Sequence, residues 1–302
     1  MRKIFYIALL LFCTNSIVGQ NKLTNAVYSL KNNELDKAKE LIDAAAEDSA
    51  FLSKPATWYY RGFIYKDLFK RDEASDINSE LREKSIEYFT KAYEMEKGSP
   101  FSKGCVNAIK YFAQTFYNQS ATSFNPNDYP VAVSSFERYK ELTKRINPEA
   151  DFTEKDIQFN LAMGSTFNRI ATIDSNNADV NMAKSIEYYR KVLSADSNNF
   201  SANYNSGIIY YNKGVEIVKK MDYGLDLDGL TKMQDELFEI FRTSLPYMKK
   251  AYDLDPRRRE TLIGLEGIYF SMNDVEKSEL FKKKIEELDG GGEPGSGDTQ
   301  NK

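Results

Sequence analysis

A short residue pattern recurs along the chain and limits its fold more than any other feature. In each copy a small residue is followed by an apolar or aromatic residue four positions later and by a small or apolar residue three positions after that. Five copies are clear, and a weaker sixth begins at Ser278: Ala38, Ile42, Ala45; Ser85, Phe89, Ala92; Ala132, Phe136, Tyr139; Ser185, Tyr189, Val192; Ser244, Met248, Ala251. Since residues spaced in this way lie on one face of an α-helix, each copy predicts a helix with one packed face.

A second pattern lies upstream of several of these copies. A glycine is followed three positions later by an aromatic residue, as in Gly62 with Tyr65, Gly164 with Phe167 and Gly207 with Tyr210. Each unit therefore contains two helices. The alternating pattern of a half-buried strand is missing, and most prolines fall between the helical segments, where they end helices without breaking them. The sequence predicts an all-α fold of about six helical hairpins.

The two patterns together resemble the tetratricopeptide repeat (TPR) family, whose first helix carries W-x₂-L-G-x₂-Y and whose second carries A-x₃-F before a proline. Trp58, Gly62 and Tyr65 match the first helix, and Ala251, Asp255 and Pro256 match the usual ending of the second. The resemblance implies a TPR-like α-solenoid over residues 20–288, in which each hairpin buries its apolar face by stacking on its neighbours.

The spacing of the copies departs from that family. The second helices begin near residues 38, 85, 132, 185, 244 and 278, which gives steps of 47, 47, 53, 59 and 34 residues, whereas the family period is 34. The extra residues fall inside the hairpins, between Tyr65 and Ser85 and between Tyr210 and Ser244. We therefore expect lengthened helices and longer turns.

The two ends of the chain differ from this repeat domain. Residues 1–19 have the layout of a secretory signal: Arg2 and Lys3, an apolar run from Ile4 to Phe12, and the small residue Gly19 at the expected cleavage site. The expectation is an exported, periplasmic or extracellular protein with no integral membrane segment after signal removal, because no later apolar run approaches the roughly 20 residues a spanning helix needs. The alternative is a lipid anchor on Cys13. Residues 289–302 are rich in Gly, Pro and Ser and predict a disordered tail.

The composition argues against catalysis, metal binding and disulfide formation. The chain has no histidine, and Cys105 is the only cysteine after the signal, so we expect a buried thiol, no disulfide, no metal site, no cofactor and no enzymatic activity. The net charge of −4 and the short basic runs Arg257–Arg259 and Lys282–Lys284, which are typical of solvated surface, argue against a nucleic-acid partner. The loop from Asp222 to Gly229 matches a calcium loop poorly, and Asp228 is expected to cap the next helix.

The resemblance also implies where a partner would bind. A TPR stack presents a concave groove lined by first-helix residues, and the register that follows the glycines gives Tyr59, Phe63, Lys66, Asn168, Tyr204, Ile208 and Tyr211, with Leu161, Ser165, Ile263, Gly267 and Phe270 in the same register. The first hypothesis is a non-catalytic scaffold or adaptor that binds a protein or peptide in this groove. The alternative is an extracytoplasmic binding protein for a small ligand or glycan that uses the groove tyrosines as stacking platforms.

Overall fold

A computed structural model describes residues 22–220, 224 and 226–290 of the chain. Across these residues the regular structure is helical, with no strand, which confirms the all-α prediction. The first helix, α1, spans 22–31. The others are α2 (Leu35–Ala46), α3 (Ser49–Leu52), α4 (Pro55–Asp72), α5 (Glu80–Met95), α6 (Ser102–Thr122), α7 (Tyr129–Ile146), α8 (Thr153–Ile173), α9 (Ala178–Ala195), α10 (Phe200–Lys219), α11 (Leu227–Leu254), α12 (Arg259–Ser271) and α13 (Val275–Gly290), with a short 3₁₀ turn at Ser175–Asn177.

The helices form two compact units. Among the described residues, unit 1 comprises those up to Ser123 together with Pro130–Ala150, and unit 2 comprises Phe124–Tyr129 and those from Asp151 onward. Unit 1 contains the hairpins α1–α2 and α4–α5, followed by α6 and nearly all of α7. Unit 2 contains the hairpins α8–α9, α10–α11 and α12–α13. The hairpin architecture expected from the repeat is thus present in both units.

Local residues set where these helices begin. Side chains of Asp48, Ser79, Asn199 and Asp226 accept hydrogen bonds from backbone N–H groups in the first turns of α3, α5, α10 and α11. The expected cap Asp228 is therefore wrong: Asp226 is the cap, and its carboxylate accepts from Gly229 N at 2.8 Å. Asp222, the first residue of the loop compared with a calcium loop, lies outside the described residues.

The two tightest hairpin turns use asparagine. Asn33 between α1 and α2 has φ of 61°, and Asn273 between α12 and α13 has φ of 58°. This left-handed conformation costs asparagine less than most other residues. The turns are short in these two hairpins, and α12–α13 is the hairpin of family length.

A glycine and a serine hold the helices of three hairpins together. Ser85 Oγ donates a hydrogen bond to the carbonyl oxygen of Gly62 at 2.8 Å, and equivalent bonds run from Ser185 to Gly164 at 2.6 Å and from Ser244 to Gly207 at 2.7 Å. The side chains of Phe89, Tyr189 and Met248 fill the space above these three glycines. The repeated pattern is therefore core: each member of the five clear copies is buried except Tyr139, which is half-buried.

The extra residues between Tyr210 and Ser244 mainly lengthen helices. The two helices that hold them, α10 and α11, have 20 and 28 residues, and α11 runs through Pro246. At the C-terminal end, α13 continues to Gly290, and Arg259 pairs with Asp289 at 2.9 Å. The helix α13 thus extends two residues past 288, where the sequence predicts the end of the repeat domain. The signal segment 1–19 and the tail beyond Gly290 lie outside the described residues.

Candidate binding face

Each unit has its own A-helix face, which we define as the outward side of α4 in unit 1 and of α8, α10 and α12 in unit 2. In unit 1 the predicted residues Tyr59, Phe63 and Lys66 lie on this side of α4, and all three are half-buried. The ring of Tyr59 contacts those of Phe63 and Phe101, with centroids 4.9 and 4.8 Å away. A side chain at Gly104 of α6 would collide with the Tyr59 hydroxyl. Tyr59 thus packs between helices while one edge stays open to solvent.

Lys66 adds a positive charge to this part of the face, and its ammonium lies over an aromatic ring. Its ammonium lies 4.4 Å from the centre of the Phe63 ring, and burial together with the nearby charge of Lys70 lowers the pKa of Lys66. Lys70 lies 5.2 Å from the ring of Tyr111, a residue that is 40% exposed. No carboxylate of the described residues forms an ion pair with either lysine.

In unit 2 the predicted residues lie on two helices. Asn168 is half-buried on α8, and Tyr204, Ile208 and Tyr211 are half-buried on α10. Tyr204 stacks on Phe200, with ring centroids 5.8 Å apart, and the guanidinium of Arg258 lies 5.4 Å from its ring centre. The aromatic character expected for this face is present on α10.

Tyr211 packs against two other helices of unit 2. Its ring centroid lies 6.0 Å from that of Phe241 on α11, and a Cβ atom added to Gly267 of α12 would lie 2.6 Å from its hydroxyl oxygen. Tyr211 therefore bridges α10, α11 and α12. It belongs partly to the core of unit 2, and a structural role must be separated from a binding role by experiment.

The most exposed apolar part of the face lies on α12. Phe270 is 70% exposed and Ile263 is 37% exposed, on the same side of the helix as Glu266 and Gly267. Ile263, Gly267 and Phe270 follow from the glycine register, whereas Glu266 does not. The sequence could have identified Glu266, because it lies three residues after Ile263 and four before Phe270 and therefore on the same side of the helix.

A separate groove of about 840 Å³ lies between α5 and α7 in unit 1. Its floor includes Ile86, Thr90 and Leu142, and its rim carries ion pairs of Arg138 with Glu83 at 2.5 Å and of Arg145 with Glu94 at 3.5 Å. None of the predicted face residues lines it. The cavity therefore gives no support to a closed pocket in which groove tyrosines converge.

Two polar arrangements between helices, one half-buried and one buried, were not expected from the sequence. Asp43 of α2 accepts hydrogen bonds from Lys39, Arg61 and Tyr65, and the Arg61 guanidinium lies 4.2 Å from the ring centre of Tyr88. Arg82 is only 4% exposed and donates to Gln119 Oε1 at 2.9 Å and to the carbonyl oxygen of Ile77 at 2.6 Å. Both arrangements join different helices, and apart from the i,i+4 pair of Lys39 with Asp43 no local sequence pattern reveals them.

The remaining chemistry of the described residues is limited. Cys105 is fully buried, and burial raises the pKa of its thiol to about 11, which suits an unreactive side chain. Within the described ranges no group of three His, Cys, Asp or Glu residues is placed to hold a metal ion. A further search of the same residues finds no helix that is both long and apolar enough to cross a membrane.

Comparison with known proteins yields likenesses of structure alone. No family model and no curated protein matches the chain. Two similar structures are a monomeric mutant of IFIT1 with Gppp-AAAA, at 14% identity, and the S. pombe nuclear import adaptor Nro1, at 12% identity. Both have a TM-score of 0.31. The match covers 86% of this chain and 58% of IFIT1, and 94% of this chain and 96% of Nro1. This chain therefore spans less than two thirds of the IFIT1 chain it matches.

Proposed function

We propose that this chain is a non-catalytic scaffold or adaptor that binds a segment of another protein on the A-helix face of unit 2. The observation that carries the proposal is the exposure of Phe270 and Ile263 on α12, the helix whose Gly267 is approached by the half-buried Tyr211. Most large apolar side chains on the first helices of unit 2 are at least half-buried because the helices stack. The Phe270 ring is 70% exposed, and it is therefore available for contact with a partner.

The chemistry of the chain supports binding over catalysis. The sequence has no histidine, and its one cysteine after the signal is buried with a raised pKa. Neither a general base of the commonest kind nor an activated thiol is therefore available. Activity assays of the purified protein with generic esterase, phosphatase and protease substrates test this part of the proposal. Turnover that persists after repurification would contradict it.

We also propose that the protein is exported and works outside the cytoplasm. The basic, apolar and small-residue layout of residues 1–19 supports this. Intact-mass measurement of the protein from the cell envelope tests it. A mature chain that begins at Gln20 is the expected result, whereas a chain that begins at an acylated Cys13 would instead assign a lipid anchor, and retention of residues 1–19 in the cytoplasm would contradict export.

Crosslinking and pull-down from the native envelope test the binding face. Phe270→Ala and Ile263→Ser should lose the captured partner while retaining the wild-type melting temperature. Leu280→Ala is the matched control, because Leu280 is 50% exposed on α13, the second helix of the same hairpin. A partner captured equally well by all of these variants would contradict binding on the A-helix face of unit 2.

A further inference from the structure

The stripe of α12 that carries the exposed apolar residues also carries one carboxylate. Ile263, Glu266, Gly267 and Phe270 are spaced at i, i+3, i+4 and i+7 and therefore share one side of the helix. Phe270 and Ile263 lie at the two ends of this stripe, and Glu266 is half-buried between them. The stripe is thus apolar at its ends and negative in its middle.

Glu266 has no cationic partner among the described residues. The other acidic residue of α12, Glu260, is paired with Arg258 at 3.3 Å, and Asp289 and Asp274 are paired with Arg259 and Lys277. No such ion pair is formed by Glu266 in the described part of the chain. A half-buried carboxylate without a partner has lost part of its hydration and gains none of the compensation that an ion pair gives.

The neighbours of Glu266 are groups that favour a cation. The absence of a side chain at Gly267 lets the hydroxyl of Tyr211 reach the backbone next to Glu266. Burial and the charge of Glu266 raise the pKa of Tyr211. The ring face of exposed Phe270 can receive an ammonium or guanidinium, since the electron-rich face of an aromatic ring attracts cations.

We infer that this stripe, with Tyr211, binds a lysine or arginine side chain that is flanked by apolar residues in a segment of a partner protein. The cation pairs with Glu266 and lies against Phe270, and its apolar neighbours cover Ile263 and the outer part of Phe270. Charge complementarity selects this occupant, because an acidic segment would bring a second carboxylate to Glu266. The inference rests on the proposed function and adds the chemistry of the segment that is bound.

Display of random 12-residue peptides on the purified chain tests the inference. Wild-type protein should enrich peptides with a Lys or Arg between apolar residues. Glu266→Lys should lose that preference and enrich Asp or Glu at the same place, and Glu276→Lys on α13 is the matched control because Glu276 is an exposed glutamate of the same unit. In fluorescence anisotropy with the best selected peptide, Glu266→Gln should raise Kd about tenfold while Glu276→Gln leaves it unchanged.

The outcomes separate the inference from the proposed function. Selected peptides that depend on Phe270 but carry no cation, or that bind Glu266→Gln as tightly as wild type, overturn the cationic occupant and leave the peptide-binding face standing. Peptides whose enrichment is unaffected by Phe270→Ala, or no enrichment at all, overturn both. Self-association of the wild-type chain that Glu266→Lys abolishes assigns the stripe to a second copy and overturns a foreign partner. Circular dichroism verifies that each variant is folded.

Discussion

Ser85 Oγ donates a hydrogen bond to the carbonyl oxygen of Gly62 at 2.8 Å, directly beside the place where the Phe89 ring covers that glycine. The small residue of the second helix and the glycine of the first are therefore two halves of one contact. The same contact recurs at Ser185 with Gly164 and at Ser244 with Gly207.

Substitution of these glycines should destabilise the fold. A Cβ atom at Gly62 would lie 2.9 Å from atoms of the Phe89 ring, so Gly62→Ala should lower the free energy of unfolding by about 1 to 3 kcal/mol. An ordinary helical Gly→Ala change has the opposite sign, because alanine is the better helix former by about 1 kcal/mol. Urea unfolding measures the difference. Gly290→Ala is the control, since a Cβ atom there meets nothing within 4 Å, and an equal effect of both changes would contradict the close contact.

Asp43→Ala should destabilise unit 1 through the groups it leaves without a partner. The half-buried Arg61 and the buried Tyr65 hydroxyl both donate to Asp43. Hydrogen bonds to charged groups contribute about 1.5 to 3 kcal/mol each when partly buried, and we expect a loss in that range. Thermal and urea unfolding measure it.

Asp36→Ala is the control for the effect of Asp43→Ala on stability. Asp36 also accepts two hydrogen bonds from an arginine, Arg71, but its side chain is 80% exposed. Exposed pairs contribute little because water already solvates both charges. We expect no measurable change in stability, and a loss as large as that of Asp43→Ala would refute burial as the reason for the difference.

The stability of the fold should fall at alkaline pH. Burial raises the pKa of the Cys105 thiol to about 11, whereas an unfolded thiol has a pKa of about 8.5. The folded state holds the proton through this interval and the unfolded state does not, so the stabilisation is complete below about pH 8.5 and is lost as the pH rises towards 11. Urea unfolding at pH 8 and pH 10.5 measures the loss. Cys105→Ala lowers stability at both pH values, and its pH dependence should be shallower than that of wild type.

Tyr211→Ala and Phe270→Ala should separate packing from binding. Tyr211 contacts Phe241 and Gly267, so its truncation should lower the melting temperature as well as weaken partner binding. Phe270 is 70% exposed, so its truncation should weaken binding by about 1 to 2 kcal/mol and leave the melting temperature unchanged. Differential scanning calorimetry and anisotropy with a selected peptide give the two quantities. Early melting of Phe270→Ala would place that ring in the core.

Much of the helical architecture follows from the sequence alone. The spacing of Ser85, Phe89 and Ala92 and its four clear counterparts specifies amphipathic helices, because a helix places those positions on one side whatever surrounds it. The glycines three positions before an aromatic residue identified the helices that must approach closely. The prediction of lengthened helices between Tyr210 and Ser244 is likewise confirmed by α10 and α11.

Tertiary contacts decided what the repeat could not. Periodicity put Tyr211 and Phe270 on the same side of their helices and gave no reason to distinguish them, yet the approach of Gly267 half-buries Tyr211 and leaves Phe270 exposed. The hydrogen-bond partners of Asp43 on α4 and of Arg82 on α6 were equally hidden from the sequence, because such pairing depends on which helices come within a few ångströms of each other. The sequence by itself determined which side of each helix faces inward, since that depends only on the helical period. Only the tertiary structure decided which outward residues stay uncovered, since that depends on how closely the neighbouring helices pack.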